Sequence, residues 1–526
     1  MKLVTYLATL ILLTCLPSLS SASVKRGDIL YQMSLADNPT LKGWQGVDPS
    51  TISWTSTPKG SKALHISVPA SGSNTVRISL PIDVSKLRGL RIVTSAMIKA
   101  AGVVKGPFPW NGVKVQLAID TPRGTSNDQM NDVYGTFDWR ELRFGSEIPT
   151  DATGVRLILG IENSPGEADF DSVRITVLEA PRDPSVKPIR DAYYTGHSEP
   201  RLRGAMVPKS LDEASATVLA RDWKANVIRF IVSGTRPGGP EVDMSPSPEY
   251  DHWLDLELAR LDHFLPIAQK NGLRVVFDMH SQPGGRISSF AGDRIFTDIR
   301  YQDTLATAWD KISKHYRGNR TIWGYDLCNE PLERTTPDNV PGWQDLALRL
   351  ARIVRKNDPD HAIIMESMNS DPGEFKYLSP IPVSKVVYSV HMYVPLQYTH
   401  QGVFSPSKPI TYPGIIAGRM WDKSALEDTL RPVVDFQKQC QASIFVGEFS
   451  AIRWAPNSLQ YLRDVIDIYE ANHWDWAYHA FREWQGWSAE YPADQAATAP
   501  SASETERARM LKSYFALNNT TKESRH

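Results

Sequence analysis

The residues that could carry chemistry lie where short apolar segments of the chain end. In chain order these segments finish in Arg229, His280, Asn329-Glu330, His391-Met-Tyr393 and Glu448. A charged side chain at such a position is costly to bury unless it is paired. For any one of them, a salt bridge that caps the end of a sheet is the simpler explanation. Two carboxylates, an Arg, two His and a Tyr exceed what a cap needs, so we expect them to converge on one site.

Two carboxylates without metal-ligand spacing are the groups that cleave a glycosidic bond. One acid protonates the leaving oxygen and its partner attacks the anomeric carbon, and in a retaining enzyme the two carboxyl groups lie about 5 Å apart. Asn329 directly precedes Glu330 and could hold a sugar 2-hydroxyl. Arg229 and Tyr393 could hydrogen-bond Glu448 and keep it ionised. The pattern therefore predicts Glu330 as the acid and Glu448 as the nucleophile.

Other reaction classes lack their sequence signatures. Asp278-Met-His280 could ligate a metal, but no His-Glu-x-x-His motif or Cys/His cluster accompanies it. The chain has no Gly-x-Ser-x-Gly elbow for a serine nucleophile and no Gly-x-x-x-x-Gly-Lys-Ser/Thr loop for phosphoryl transfer. The sequence therefore predicts chemistry that uses neither a metal nor a cofactor.

The elements that would position these residues are eight short apolar strands that alternate with amphipathic helices between residues 201 and 518. This alternation favours an α/β fold, the (β/α)8 TIM barrel, in which catalytic groups gather at the carboxyl ends of the strands. No glycine fingerprint follows the first strand, which weakens a nucleotide-binding alternative. The predicted strands are residues 202–207, 226–232, 273–280, 321–329, 362–366, 386–393, 443–449 and 474–481.

Residues 23–180 follow a different periodicity. Apolar and polar residues alternate in several short runs, for example at Leu64, Ile66 and Val68. Side chains two positions apart share one face of a strand, so each run buries one face of an antiparallel sheet. These runs, separated by turn residues, predict an all-β sandwich of the jelly-roll kind. Residues 181–200 contain four prolines and no periodicity, and we interpret them as a connector.

The amino terminus and the overall charge indicate where the protein acts. Residues 1–22 have the form of a signal peptide, with Lys2, an apolar core over residues 3–16, and small residues at Ser20 and Ala22. A membrane anchor is the alternative, but the apolar run is too short to span a bilayer. A formal net charge of −1 argues against nucleic-acid binding. We expect a secreted monomer, extracellular or periplasmic, that leaves the membrane after signal cleavage.

The ordered set of motifs resembles glycoside hydrolase family 5, the cellulase family. The resemblance covers roughly residues 200–517. The motifs that carry it are Asn226-Val-Ile-Arg229, Asp278-Met-His280, Asn329-Glu330-Pro331, His391-Met-Tyr393 and Gly447-Glu448-Phe449.

This resemblance implies a retaining double displacement without a metal. Glu330 would be the general acid/base and Glu448 the nucleophile. The remaining motif residues would surround the sugar in the −1 subsite, with the histidines lining it and the others as polar support: His280, His391, Arg229, Asn329 and Tyr393.

Members of the family usually place a Trp beneath the −1 sugar, at the end of the eighth strand. The corresponding segment, residues 476–487, contains three Trp and one His. We expect Trp484 to form this platform because it lies just beyond the predicted strand end. Trp476 is expected in the core, and His479 is the alternative that would replace the Trp.

The resemblance also implies a polysaccharide partner, and we expect a β-glucan and endo-β-1,4-glucanase activity. The alternatives within the family are a β-mannanase, a xyloglucanase or mixed-linkage glucanase, and a β-1,3- or β-1,6-glucanase. They would share the acid and the nucleophile and differ in their subsite contacts. The non-enzyme alternative is a carbohydrate-binding protein built on an inactive barrel.

The amino-terminal sandwich resembles jelly-roll carbohydrate-binding modules. Gly135-Thr-Phe-Asp-Trp139 and Phe170-Asp-Ser-Val-Arg-Ile carry this resemblance. Phe108-Pro-Trp110 lies between predicted strands, where exposed aromatic rings could stack on a sugar. The alternatives are that this Trp folds under a loop, and that the sandwich only braces the barrel.

Overall fold

The structure is a computed structural model of the chain and describes residues 24–38, 40–58, 60–71, 75–183, 200–234, 245–288, 291–405 and 407–520. The signal peptide predicted for residues 1–22, and residues 184–199 of the predicted connector, lie outside the described residues. Among the residues described, no helix is both long and apolar enough to cross a membrane.

The amino-terminal part consists of antiparallel strands in two sheets. The strands are β1 (Ile29–Ser34), β2 (Ile52–Ser56), β3 (Lys62–Val68), β4 (Val76–Ile82), β5 (Arg91–Val103), β6 (Gly112–Thr121), β7 (Gly124–Gln129), β8 (Gly135–Glu147), β9 (Gly154–Glu162) and β10 (Gly166–Glu179). The larger sheet has the order β2-β3-β10-β5-β8, with β1 also on β10, and the smaller has the order β4-β9-β6-β7. Alternate residues such as Val113, Val115 and Leu117 are buried in the apolar core of this part. The alternating pattern in the sequence thus produces the all-β architecture that it predicts.

The carboxy-terminal part is a closed barrel of eight parallel strands. The barrel strands are β11 (Arg203–Val207), β12 (Val227–Ile231), β13 (Arg274–Asp278), β16 (Ile322–Asp326), β17 (Ala362–Glu366), β18 (Val386–Met392), β21 (Ser443–Phe449) and β22 (Asp475–Tyr478). Two hairpins extend from the loops, namely β14 (Arg286–Ser288) with β15 (Gly292–Asp293) and β19 (Gly414–Ile416) with β20 (Arg419–Trp421). The TIM barrel preceded by an all-β region is confirmed.

The helices follow the barrel strands, and several of them begin at capping residues. They are α1 (Glu213–Thr217), α2 (Pro248–Lys270), α3 (Ile299–His315), α4 (Trp343–Asn357), α5 (Leu396–Thr399), α6 (Lys423–Cys440), α7 (Ser458–Ala471), α8 (Glu506–Phe515) and α9 (Leu517–Thr520). The side chains of Ser247, Asp422 and Thr505 accept hydrogen bonds from the first turns of α2, α6 and α8. These caps satisfy backbone N–H groups that have no partner within the helix.

Apolar side chains fill one layer inside the barrel. The layer comprises Leu202, Val227, Val276, Trp323, Ala362, Ile364, Val387, Phe445 and Ala477. Side chains two positions apart share a face of a strand, so residues two positions after this layer also point into the barrel. Three of these residues are Arg229, Asp278 and Glu366. All three are fully buried. The barrel interior therefore changes from apolar to ionic towards the carboxyl ends of its strands.

The sandwich covers the side of the barrel next to its fifth strand, β17. Between β17 and β18 the chain forms two short 3-10 turns, Met368–Ser370 and Pro372–Lys376, in the position where a helix usually follows. Arg91 of β5 pairs with Glu374 in the second turn and with Glu179 at 3.1 Å. The hydroxyl of Tyr377 donates to the carbonyl of Gly89 at 3.3 Å. The sandwich thus packs against the side of the barrel where these 3-10 turns stand in place of an α-helix.

A second group of contacts joins the sandwich to the loop that follows Glu330. Arg143 and Arg174 of the larger sheet lie 3.3 and 2.8 Å from the carboxylate of Asp338. Arg26 pairs with the buried Glu333, which also accepts the backbone N–H of Trp343. The backbone of the loop also approaches β8 closely, since a Cβ atom on Gly145 would lie 2.7 Å from a carbonyl oxygen of this loop. One face of the sandwich therefore fixes a loop of the candidate site.

Candidate active site

Glu330 and Glu448 lie next to each other at the carboxyl end of the barrel. Glu448 belongs to β21, and Glu330 lies in the loop that follows β16. One carboxylate oxygen from each, together with a ring nitrogen of His391, lie within 4.8 Å of one another. Glu448 is buried, whereas the side chain of Glu330 keeps 27% of its exposure. The two carboxylates therefore share one small space, and Glu330 is the more accessible of the two.

Three groups hold the carboxylate of Glu448. Nη1 of Arg229 lies 2.5 Å from Oε1, the hydroxyl of Tyr393 donates to Oε2 at 2.9 Å, and Nδ1 of His479 lies 3.4 Å from Oε2. Burial alone raises the pKa of Glu448, but the charges of His391, His479 and Arg229 outweigh it and hold this pKa well below its usual range. Glu448 is thus an oriented anion, the state in which a carboxylate can attack a carbon centre.

The backbone of Glu330 is held on both sides. Its N–H donates to Oε2 of Glu366 at 2.6 Å, and its carbonyl accepts a hydrogen bond from Arg286. Its φ of 42° lies in the left-handed region, which residues with a Cβ atom seldom adopt and which surrounding contacts must maintain. Oε1 of Glu330 lies 3.0 Å from Nδ1 of His391. These contacts direct its carboxylate towards Glu448.

Arg229 is the centre of a buried ionic cluster. Its guanidinium lies within 3.0 Å of four carboxylates, those of Asp278, Asp326, Glu366 and Glu448. Burial lowers the pKa of Arg229, but these four carboxylates outweigh it and raise the pKa well above its usual value. A single cation therefore offsets much of the negative charge that the strand ends bring together.

The two histidines predicted for the site each contact a buried carboxylate. Nδ1 of His280 lies 2.9 Å from Asp278, and Nε2 of His391 lies 3.3 Å from Glu366. Burial lowers the pKa of each histidine, but the neighbouring carboxylates outweigh it, so both pKa values are raised. His391 also contacts Glu330, so the structure brings it directly to the pair of carboxylates.

Asn329 lies beside the same cluster. Its Oδ1 accepts a hydrogen bond from Nη2 of Arg229 at 3.0 Å. Because the carbonyl oxygen of the amide is used in this contact, its NH2 group is the part that remains to donate to a ligand. The structure thus places Asn329 beside Arg229, and its contact with a sugar hydroxyl stays a prediction.

The aromatic residues that follow β22 differ in their distance from the carboxylates. His479 directly follows this strand and contacts Glu448. Trp484 is 38% exposed, and its ring centre lies 5.4 Å from that of the buried Trp487. Trp476 is fully buried, as expected of a core residue. Of the described residues in this segment, His479 is the one whose ring contacts Glu448. The platform role of Trp484 stays a prediction.

Sequence reasoning missed two buried carboxylates and one arginine of the site. Asp326 and Glu366 end the strands β16 and β17, so the rule that selected Arg229 would have found them if it had been applied to all eight strands. Arg286 belongs to the short hairpin after β13 and lies 4.0 Å from the carboxylate of Glu330. No periodicity in the sequence distinguishes Arg286 from an ordinary surface arginine.

Glu330, His391 and Glu448 are also the one trio of potential metal ligands within the described part of the chain. Both oxygens of Glu448 already contact donors, since Arg229 and Tyr393 occupy one each. These contacts account for the short separations without a cation, and the metal-free site stays a prediction.

Comparisons with known proteins give the family of this chain. A family model described as Cellulase (glycosyl hydrolase family 5) matches residues 191–488. Endoglucanase C of Acetivibrio thermocellus is 26% identical over 241 residues, which are 40% of this chain and 69% of that protein. Beta-xylosidase of Phanerodontia chrysosporium is 25% identical over 244 residues, 42% of this chain and 48% of that protein.

Among solved structures, one glycoside hydrolase is similar with a TM-score of 0.48 and 19% identity, over 60% of this chain and 99% of that chain. The family assignment depends on the family model, which covers more than half of the chain and includes both carboxylates at the barrel opening. The chain therefore belongs to the cellulase family, glycosyl hydrolase family 5.

Proposed function

We propose that this glycoside hydrolase is a secreted endo-β-1,4-glucanase that retains the anomeric configuration, with Glu330 as acid/base and Glu448 as nucleophile. The observation that carries the proposal is the separation of their carboxylate oxygens, which is within 4.8 Å. Retaining enzymes keep their carboxyl groups about 5–5.5 Å apart, whereas inverting enzymes need about 6.5–9.5 Å to admit a water molecule.

In the first step Glu448 attacks the anomeric carbon and forms a covalent glycosyl ester. Glu330 gives its proton to the departing glycosidic oxygen as that bond breaks, so the leaving sugar departs with a hydroxyl group. Arg229 and Tyr393 hold the attacking carboxylate in its ionised form and in a fixed orientation. Fixed donors of this kind need no rearrangement as the reaction proceeds.

In the second step Glu330, now ionised, takes a proton from a water molecule that attacks the same carbon. The ester bond to Glu448 breaks, and the sugar is released with the configuration that it had in the substrate. The exposure of Glu330 suits this role, because the leaving group and the incoming water must both reach it. His391, 3.0 Å from Glu330, orients the acid/base through both steps.

Other polar groups at the opening would hold the sugar in the −1 subsite. The free amide NH2 of Asn329 would donate to the 2-hydroxyl, a contact that strengthens at the transition state. His280 would line the same subsite and contact a sugar hydroxyl. Trp484, exposed beyond His479, would stack beneath the −1 sugar as its platform.

The preference for a β-1,4-glucan depends on the names of the relatives, and those names differ. They include Endoglucanase C and a beta-xylosidase. We therefore propose a panel of defined polysaccharides, namely cellulose derivatives, mixed-linkage glucan, xyloglucan, mannan, xylan, and β-1,3- and β-1,6-glucans, with analysis of product lengths. Early release of mixed-length oligosaccharides from the cellulose derivative is the expected result. Faster turnover of another glycan, or release of one short product only, would reject this substrate or the endo mode.

Variants test the assigned carboxylates in the same assay. Glu330→Gln and Glu448→Gln should each lower kcat by about 10²- to 10⁴-fold or more while the protein stays folded. Glu504→Gln, at an exposed position just before α8, is the matched control and should retain full activity. Activity close to that of the unaltered chain in either active-site variant would reject the mechanism.

A further inference from the structure

The loop that carries Glu330 is attached to the segment at the end of β17. The N–H of Glu330 donates to the carboxylate of Glu366 at 2.6 Å, and the N–H of Asn369 donates to the carbonyl of Pro331 at 2.8 Å. Because Glu330 has a left-handed backbone with a φ of 42°, surrounding contacts must maintain its conformation. The position of the acid/base therefore depends on how firmly this loop is held.

Glu333, three residues after Glu330, is a carboxylate that caps α4. Its side chain is fully shielded from solvent. Its Oε2 accepts the N–H of Trp343, the first residue of α4, at 2.9 Å, and its Oε1 accepts the hydroxyl of Thr336. The residue before α4 is Gly342, which has no side chain that could cap the helix. Glu333 therefore acts in place of the usual capping residue.

Trp343 connects Glu333 with the residue that holds Glu330. Its indole Nε1 donates to the backbone carbonyl of Glu366 at 2.8 Å. The ring of Trp343 is buried in a close-packed core, so it cannot shift without displacing its neighbours. A displacement of Glu333 is therefore transmitted through Trp343 to Glu366, whose carboxylate accepts the backbone N–H of Glu330.

The charge of Glu333 is balanced from the sandwich. Arg26, which precedes β1, pairs with Oε1 of Glu333, and its Nη1 donates to the carbonyl of Leu178 in β10 at 3.2 Å. A Cβ atom on Gly342 would collide with this guanidinium, so the glycine leaves the space in which Arg26 reaches the carboxylate. A buried carboxylate without its cation is costly, and the loop that carries it must rearrange. The sandwich therefore supplies a charge on which the arrangement of the loop depends.

We propose that Arg26 and Glu333 are positioning residues for the acid/base, so that the sandwich takes part in catalysis in addition to bracing the barrel. This inference rests on the proposed role of Glu330. Arg26 acts through Glu333, Trp343 and Glu366, and small displacements of a catalytic group lower the rate strongly. Other groups hold Glu448, so the defect should be confined to steps in which Glu330 transfers a proton.

Leaving groups of different acidity separate a loss of proton transfer from a loss of folded protein. The full-length chain is assayed with 2,4-dinitrophenyl β-cellobioside, whose leaving group departs without a proton, and with phenyl β-cellobioside, whose leaving group needs one. For Arg26→Met and Glu333→Gln we expect kcat/KM to fall about tenfold with the phenyl substrate and less than about twofold with the dinitrophenyl substrate. Arg26→Lys keeps the charge and should restore most of the lost activity.

Arg91→Ala is the matched control, because Arg91 also joins the sandwich to the barrel but pairs with Glu374 rather than with the loop of Glu330. It should leave the ratio of the two kcat/KM values unchanged. Thermal unfolding confirms that each variant is folded at the assay temperature. If Glu333→Gln does not fold, Arg26→Met decides the outcome, since the side chain of Arg26 is partly exposed.

The ratio of the two kcat/KM values decides between positioning and simple bracing. The proposal is overturned if Arg26→Met lowers both values by the same factor or lowers neither. It is also overturned if Arg91→Ala changes the ratio as much as Arg26→Met does. Glu330→Gln should show the strongest selective loss with the phenyl substrate. Absence of that loss would refute the acid/base role of Glu330 itself, and the positioning role with it.

Discussion

The ring of His479 joins two carboxylates, with Nδ1 lying 3.4 Å from Oε2 of Glu448 and Nε2 lying 2.9 Å from Oε2 of Glu483. The hydroxyl of Tyr393 contacts both this histidine and Glu448. Burial lowers the pKa of His479, but Glu483 and Glu448 outweigh it and raise the pKa to about 10. His479 is therefore a cation at neutral pH and helps to keep Glu448 ionised.

Replacing His479 should make stability depend on pH in a defined way. A histidine whose pKa rises from 6.5 to about 10 on folding stabilises the native state fully below pH 6.5, and this contribution is lost as the pH rises towards 10. We expect His479→Asn to lower the free energy of unfolding by about 1–3 kcal/mol at pH 6 and by much less at pH 10. Thermal or denaturant unfolding of both proteins at several pH values measures this difference.

The matched control for that experiment is His315→Asn. His315 lies 2.9 Å from Asp262, but both side chains are well exposed, so water weakens their interaction. We expect this control to change stability by less than about 0.5 kcal/mol. A loss of stability in His479→Asn that stays constant from pH 6 to pH 10 would contradict the assigned role of the cation.

Removing the charge of Arg229 should have a larger effect. Arg229→Met would leave four buried carboxylates without their shared cation, which we expect to cost about 3–5 kcal/mol at pH 7. Arg229 lowers the pKa values of Glu366 and Glu448, so these values would rise in the folded variant, and the loss of stability should be smaller at pH 4.5 than at pH 7. Denaturant unfolding at both pH values checks this prediction, and a larger loss at the lower pH would contradict it.

Glu366 should affect the rate more than substrate binding. Glu366 accepts the N–H of Glu330 and contacts His391 and Arg229. Burial raises the pKa of Glu366, but these two cations outweigh burial and lower the pKa to about 2. Glu366→Gln keeps the shape but replaces an acceptor by a donor. We expect kcat to fall about 10- to 100-fold, because small displacements of a catalytic group are costly, with KM nearly unchanged. A variant with normal kcat and reduced stability would indicate a purely structural role.

The contact between sandwich and barrel should stabilise the barrel. Arg91 pairs with Glu147, Glu179 and Glu374 and lies 4.7 Å from the ring centre of Tyr377. We expect Arg91→Ala to cost about 2–3 kcal/mol, because it leaves partly buried carboxylates without their partner.

The control for the interface is Arg123→Ala, which breaks an exposed ion pair with Asp151 inside the sandwich. That change should cost at most about 0.5 kcal/mol. Thermal unfolding of the full chain compares the two variants, and equal unfolding temperatures would argue against bracing.

The barrel was predictable because its strands and helices alternate and because charged residues follow apolar runs. Arg229, His391 and Glu448 could be selected in this way, since a buried charge at a strand end is unusual. The sandwich was predictable from its period of two. In both cases a local pattern of the sequence determines which face of an element is buried.

The parts that the sequence left open depend on distances between remote segments. Glu330 and Glu366 are joined through a backbone N–H, and no residue pattern signals such a contact. The choice between His479 and Trp484 does not follow from periodicity, because both residues lie beyond the end of the last strand. The contact of Arg143 with Asp338 does not follow from it either, because it joins a strand of the sandwich to a remote loop of the barrel. The 3-10 turns between β17 and β18 likewise replace a helix that the barrel pattern favours.

The most direct test of the account is to trap the covalent intermediate. A 2-deoxy-2-fluoro cellobioside with a good leaving group slows both steps, but it slows hydrolysis of the ester more, so the glycosylated enzyme accumulates. We predict one fluorinated cellobiosyl group per chain, and peptide mass spectrometry should locate this group on Glu448. The Glu448→Gln variant should carry no such group. Attachment to Glu330 or another residue, or products of inverted configuration, would contradict the proposed mechanism.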